Sequence, residues 1–192
     1  MLKNKLKNKN IILASGSPRR QQFLKELNLD FTIQLKEVDE VFSKELKGKE
    51  IVKYLAKLKA SPFLNLSEND ILITADTIVW HKGEMLGKPK SEKEAREMLK
   101  NLSGKSHKVY SGFCLKSAIK EVVFSSTTKV FMKKLSREEI EYYVKKYKPL
   151  DKAGSYGIQE WIGLIGVNKI EGSFFNVMGF PVHKFYKEIL RF

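Results

Sequence analysis

The chain has 192 residues, 42% of them hydrophobic, and its 36 Lys and Arg against 22 Asp and Glu leave a formal net charge of +14. That length and apolar content can bury a substantial core and argue against a wholly disordered chain, while the longest apolar run, residues 70–80, is too short and interrupted for a membrane-spanning helix. The positive excess attracts polyanions of any kind, nucleic acid, acidic membrane or nucleotides, and most of it is lysine scattered over helix faces, as solvated surfaces usually are.

Residues 1–10 read as a basic N-terminal extension; the apolar stretch that follows ends within a few residues, so it fails as a secretory signal, and a cytoplasmic protein is expected. The first predicted strand, near 10–15, runs through Ser15-Gly16-Ser17-Pro18 into a helix near 18–28 that starts with Arg19 and Arg20. Ser17 suits the N-cap and Pro18 the first helical position, the amides of a helix start favour an anion, and guanidinium forks match phosphate oxygens. The plain alternative is a capped helix with solvent-facing arginines. A strand near 31–36 is followed by the acidic loop that holds Asp39 and Glu40, either solvated or an oxygen donor for a metal. The helix near 49–65 carries Ile51, Val52, Leu55 and Leu58 at core spacing, which puts Lys59 at the margin of the buried stripe.

The strand near 70–80 holds Asp76 inside an apolar pattern, where a carboxylate needs a cation, hydrogen-bond donors or water. It can serve as a general base, as a ligand of Mg²⁺ bound with phosphates, or as half of a structural salt bridge. A hairpin at Lys82-Gly83 leads to Lys88, which Pro89 stiffens, and then to a helix near 91–101. Strands near 107–117 and 120–132 flank a short connection that suits an antiparallel pair, so the sheet is expected to be mixed. Cys114, the only cysteine, falls in that apolar pattern and reads as a small core residue, and His81, His107 and His183 show no metal-ligand spacing. After a helix near 136–147, the loop 149–159 places Asp151, Lys152 and Gln159 among small residues, a composition suited to holding a ligand close to backbone. A strand near 161–170, a structural turn at 172–181 and a helix near 181–190 complete an α/β chain read as a single domain, 11–192, with room for two lobes.

Taken in order, Ser15-Gly16-Ser17-Pro18-Arg19-Arg20, Asp39-Glu40, Leu55-Ala56-Lys57-Leu58-Lys59-Ala60, Ala75-Asp76-Thr77-Ile78-Val79, Gly87-Lys88-Pro89, Ser106-His107-Lys108-Val109-Tyr110-Ser111-Gly112 and Asp151 through Gln159 resemble the Maf family of nucleoside triphosphate pyrophosphatases. The resemblance implies an α/β fold with a mixed twisted sheet flanked by helices and two lobes around a central cleft, Maf and ITPase-like, that hydrolyses a nucleoside triphosphate to the monophosphate and pyrophosphate with a divalent metal, Mg²⁺ or Mn²⁺. It implies Asp76 as proton acceptor, Glu40 and Asp76 at the metal, and Ser15, Arg19, Arg20, Lys59, Lys88, Asp151 and Lys152 around the substrate. The combination of Arg19, Thr77 and Gln159 resembles the branch acting on dTTP and UTP rather than that acting on 7-methyl-GTP, and the family also suggests a homodimer. One departure stands beside the specificity residue: Glu160 occupies a position where glycine is usual, and its charge could alter base preference or repel phosphate. A regulatory protein that binds nucleotide or nucleic acid through the basic surface is the competing reading, though no nucleic-acid-binding motif supports it.

Overall fold

A computed structural model of the chain describes residues 2–192. In chain order the elements are α1 (Leu2–Lys5), β1 (Asn10–Leu13), α2 (Pro18–Glu26), β2 (Thr32–Ile33), α3 (Lys49–Ala60), β3 (Asp70–His81), β4 (Glu84–Leu86), α4 (Glu92–Leu102), β5 (Ser106–Lys116), β6 (Glu121–Met132), α5 (Arg137–Tyr147), a 3₁₀ turn at Ala153–Ser155, α6 (Trp161–Gly166), β7 (Val167–Glu171), α7 (Phe174–Val177) and α8 (Val182–Ile189). They form two compact units, one of residues up to Asp76 with Ser111–Ser126 and Gly179–Phe192, the other of Thr77–Tyr110 and Thr127–Met178. No helix among the described residues is long and apolar enough to cross a membrane.

In the first unit the strands follow the order β2-β1-β3-β5-β6. Strand β1 pairs in parallel with both β2 and β3, as a strand–helix alternation requires. Ile12, Leu72, Ala56, Ala60, Phe63 and Cys114 form one core cluster. The apolar face of α3 supplies Ile51, Val52, Leu55, Ala56 and Ala60 to the interior, each large side chain contributing about 1.5–3 kcal/mol on burial. Gly112 of β5 is needed here, because a Cβ at that position would lie 2.4 Å from the Val52 carbonyl oxygen. Phe113, Phe180 and Phe185 build an aromatic cluster with centroids 4.9–5.8 Å apart. Cys114 is fully buried, and burial pushes its thiol up to about 12, as a core residue rather than a nucleophile.

In the second unit the order is β3-β5-β6-β7, and β4 pairs with β3. Both β3/β4 and β6/β7 are antiparallel, so the sheet is mixed as expected. The β3–β4 hairpin turns through Lys82 and Gly83, both at positive φ, which suits the twist of a two-residue connection. Helices α4 and α5 pack Leu99, Leu102, Ile140, Tyr143 and Val144 into one core with Val109, Val130 and Ile162. A capping box between Ser136 and Glu139 starts α5.

One strand expectation fails. The strand read near 161–170 begins as a helix: Trp161–Gly166 is α6, and β7 starts only at Val167. A short apolar run carries too few periods to separate helix from strand, and Gly163 admits the helix, since a Cβ there would lie 1.8 Å from the Ile158 carbonyl oxygen. The basic N-terminal residues pack on the first unit. Leu2 and Leu6 are buried, and Lys5 Nζ donates to the Leu190 carbonyl, so α1 belongs to the first unit; Met1 lies outside the described residues.

Candidate active site

The strand β1 ends where its apolar pattern ends, and the small residues 14–17 carry the chain into α2. Ser17 stands at the N-cap with Pro18 behind it, but its hydroxyl makes no capping bond. Ser15 takes the local role instead: its Oγ accepts from the Ser17 amide at 3.3 Å and from Arg20 Nη1 at 3.1 Å. Arg20 also donates Nη1 to the Ala75 carbonyl at 2.8 Å and Nε to the Gly179 carbonyl at 3.1 Å. Its guanidinium therefore ties α2 to β3 and to the turn before α8. Burial and neighbouring Arg19 push the Arg20 guanidinium down, while Asp76 and Glu40 push it up; an arginine remains charged throughout. Arg19 is half-buried.

The carboxylate of Asp76 has a partner. Lys59 Nζ lies 2.5 Å from Asp76 Oδ1 and 3.1 Å from Glu40 Oε1. The approach of α3 to β3 is set two residues earlier, where buried Thr74 donates its hydroxyl to the Ala56 carbonyl. Thr74 and Asp76 share a face of the strand, and Ala56 and Lys59 are neighbours along the helix, so that one bond brings the ammonium to the carboxylate. Thr74 is a residue that sequence reasoning missed, and its signal is a hydroxyl inside an apolar strand that needs an acceptor.

Two carboxylates aimed at one small cation are a donor set that a hard divalent ion can use, since Mg²⁺ sites commonly combine one or two carboxylates with water and substrate phosphate. Among the described residues no group of three or more His, Cys, Asp or Glu side chains could hold a metal. Glu40 and Asp76, the two carboxylates that meet at Lys59, are oxygen donors of the kind the expected ion takes.

The second unit holds the other expected residues. Thr77 is half-buried, the next residue of β3 after Asp76. Lys88 is exposed between Gly87, whose carbonyl accepts from the Gly154 amide at 3.0 Å, and the buried ring of Pro89. This anchors the lysine's loop to the 3₁₀ turn. Lys152 is buried, and its Nζ pairs with Asp151 at 2.8 Å and with Glu160 at 3.0 Å. Gln159 is exposed, following buried Ile158. The structure thus assembles Ser15 with Arg20, Lys59 with Asp76 and Glu40, and Asp151 with Lys152 and Glu160. The Glu160 carboxylate points to Lys152, which it shares with Asp151, so one ammonium stands between two carboxylates.

Comparison with known proteins places these residues in context. A family model described as Maf-like protein matches residues 10–192. A dTTP/UTP pyrophosphatase of Flavobacterium johnsoniae is 54% identical over 188 residues, covering 97% of each chain. Another from Christiangramia forsetii is 53% identical over 190 residues, 98% of this chain and 97% of that one. Among solved structures, a Staphylococcus aureus Ham1 protein aligns with a TM-score of 0.46 at 17% identity, over 65% of this chain and 72% of that chain.

Proposed function

From its membership in the Maf-like protein family, to which this chain belongs, we propose that the protein hydrolyses dTTP and UTP to the monophosphate and pyrophosphate. The observation that carries this reading is the near-complete match, at about half identity, to relatives named dTTP/UTP pyrophosphatase. The carboxylate–ammonium cluster of Glu40, Lys59 and Asp76 supports the chemistry.

In the reaction, water attacks the α-phosphorus, the bond to the α–β bridging oxygen breaks, and pyrophosphate leaves. Asp76 takes the proton of the attacking water, a task for a positioned carboxylate. Arg19, Lys59 and Lys88 meet the charge that grows on the leaving group, which is where electrostatic catalysis of phosphoryl transfer acts. Arg20 and Ser15 hold the 14–20 segment in place for Arg19. A divalent cation, Mg²⁺ or Mn²⁺, would be held by Glu40 and Asp76 and would supply charge neutralisation at the phosphate oxygens. Thr77 and Gln159 contact the pyrimidine base, with Asp151 and Lys152 supporting the loop that carries Gln159. The protein acts as a homodimer, to be checked by light scattering.

The test is a panel of dTTP, UTP, CTP and 7-methyl-GTP with Mg²⁺ or Mn²⁺, reading pyrophosphate against orthophosphate. Pyrophosphate from dTTP and UTP is the expected result; release only from another nucleotide would move the specificity, and no release at all would end the enzymatic reading.

A further inference from the structure

Glu160 stands at the start of α6, yet its side chain makes no capping bond to that helix. It turns instead toward the loop before it. Oε1 accepts from Lys152 Nζ at 3.0 Å, and Oε2 accepts from the hydroxyl of Tyr143 on α5. The same hydroxyl oxygen accepts from the Gly157 amide at 3.0 Å. Three points of the 152–160 loop, Lys152, Gly157 and Glu160, are thereby gathered on one buried phenol and one carboxylate.

The surroundings fit this arrangement. Tyr143 is fully buried, and the side chains of Lys152 and Glu160 are 9% and 19% exposed. A charge pair so far from water persists only with its remaining hydrogen-bonding capacity met. Gly157 makes room for it: a Cβ there would lie 2.8 Å from the Glu160 carboxyl carbon and 3.0 Å from Lys152 Cε. Burial, with the Glu160 hydrogen bond adding to it, pushes the Tyr143 phenol up, so it remains a donor at any physiological pH. Within this turn Gln159 is the exposed residue, between buried Ile158 and tethered Glu160.

We propose that Glu160 is a positioning residue for nucleotide selection: by clamping Lys152 and Tyr143 it presents the exposed Gln159 in one fixed geometry. The inference rests on the dTTP/UTP pyrophosphatase reading. It assigns Glu160 no contact with the reacting atoms, so the clamp acts on substrate binding and discrimination, leaving the chemical step to the residues around Asp76. A pre-ordered loop binds without the cost of ordering side chains on association, and loosening it lowers affinity with little effect on turnover.

The experiment compares wild type, Glu160→Ala, Glu160→Gln and Tyr143→Phe in steady-state assays with dTTP, UTP and CTP, alongside thermal melts. Glu160→Ala is expected to raise KM for dTTP and UTP about tenfold, keep kcat within about threefold, and lower the preference for dTTP over CTP, as removal of uniform binding does. Glu160→Gln keeps an acceptor for Tyr143 and is expected to recover part of the KM. Tyr143→Phe is expected to lower the preference in the same direction as Glu160→Ala. A melting temperature that falls while KM and preference of the folded variants stay at wild-type values would reduce Glu160 to a structural contact and overturn the inference. Wild-type protein that releases no pyrophosphate from dTTP or UTP would overturn the functional reading and the inference with it.

Discussion

Lys59 Nζ lies 2.5 Å from Asp76 Oδ1, and the same ammonium reaches Glu40 Oε1 at 3.1 Å. One cation thus holds together the two carboxylates of the site, one from the β3 interior and one from an exposed loop. Replacing Asp76 by Asn keeps the size and hydrogen-bonding shape of the side chain but removes the base. Turnover is expected to fall about a hundredfold or more, the scale of general-base loss, with circular dichroism unchanged; a folded Asp76→Asn protein with near-normal kcat would remove Asp76 from its assigned role.

Glu40 contributes from a loop and is half-exposed. Glu40→Gln is expected to leave the melting temperature nearly unchanged and to raise the Mg²⁺ concentration for half-maximal activity about tenfold or more, because ligand charge count tunes the affinity of such sites. Chelation by EDTA is expected to stop wild-type turnover, and excess Mg²⁺ to restore it. Titration of activity against Mg²⁺ for both proteins checks this, and superimposable curves would exclude Glu40.

The adjacent arginines are expected to separate. Arg20 donates to Ser15, Ala75 and Gly179, so Arg20→Ala leaves carbonyls without donors and is expected to cost about 2 kcal/mol or more of stability. Arg20→Lys should recover little, since an ammonium cannot reproduce the fork. Arg19→Ala is expected to act on kcat/KM with a smaller change in stability. Urea unfolding and steady-state kinetics on the pair decide between this division and two equivalent phosphate ligands.

His107 supplies a pH dependence. Its Nε2 is 2.6 Å from the Tyr156 hydroxyl, and burial, with His81 nearby, lowers its pKa from 6.5 to about 4. The unfolded chain binds this proton near pH 6.5 and the folded chain only near pH 4, so between those values the unfolded state carries more protons. Stability is therefore fully present above about pH 6.5 and falls as pH drops toward 4, by roughly 3 kcal/mol from this group. Urea midpoints measured across the window are expected to show that slope, and His107→Gln to flatten it.

Cys114 offers a simple probe of the first unit. A buried thiol with its pKa raised to about 12 presents almost no thiolate near neutral pH. Ellman's reagent is expected to react only as urea unfolds the protein, in step with the loss of circular dichroism. Prompt labelling of the native protein would place Cys114 outside the core.

Much of this was legible in the sequence because local patterns carry it. Apolar periodicity located α3 and β3, and a carboxylate at Asp76 in an apolar strand announced that it needed a partner. The run 161–170 carries too few apolar residues to show a period, and the close approach of Gly163 to Ile158 that permits α6 is a packing fact. Leu2 and Leu6 were lost among lysines, although two apolar residues one helical turn apart were enough to bury one face of α1.

The sequence by itself determined the groups available: carboxylate oxygens, guanidinium and ammonium cations, and an α/β pattern to carry them. Only the tertiary structure decided how those groups were shared out. It placed Lys59 on Asp76 through the Thr74–Ala56 bond, committed Arg20 to backbone carbonyls, and set Glu160 between Lys152 and Tyr143. These partners stand many residues apart along the chain. Which of them meet is set by the register of helix on strand and by the space that glycines leave, and no local spacing encodes either.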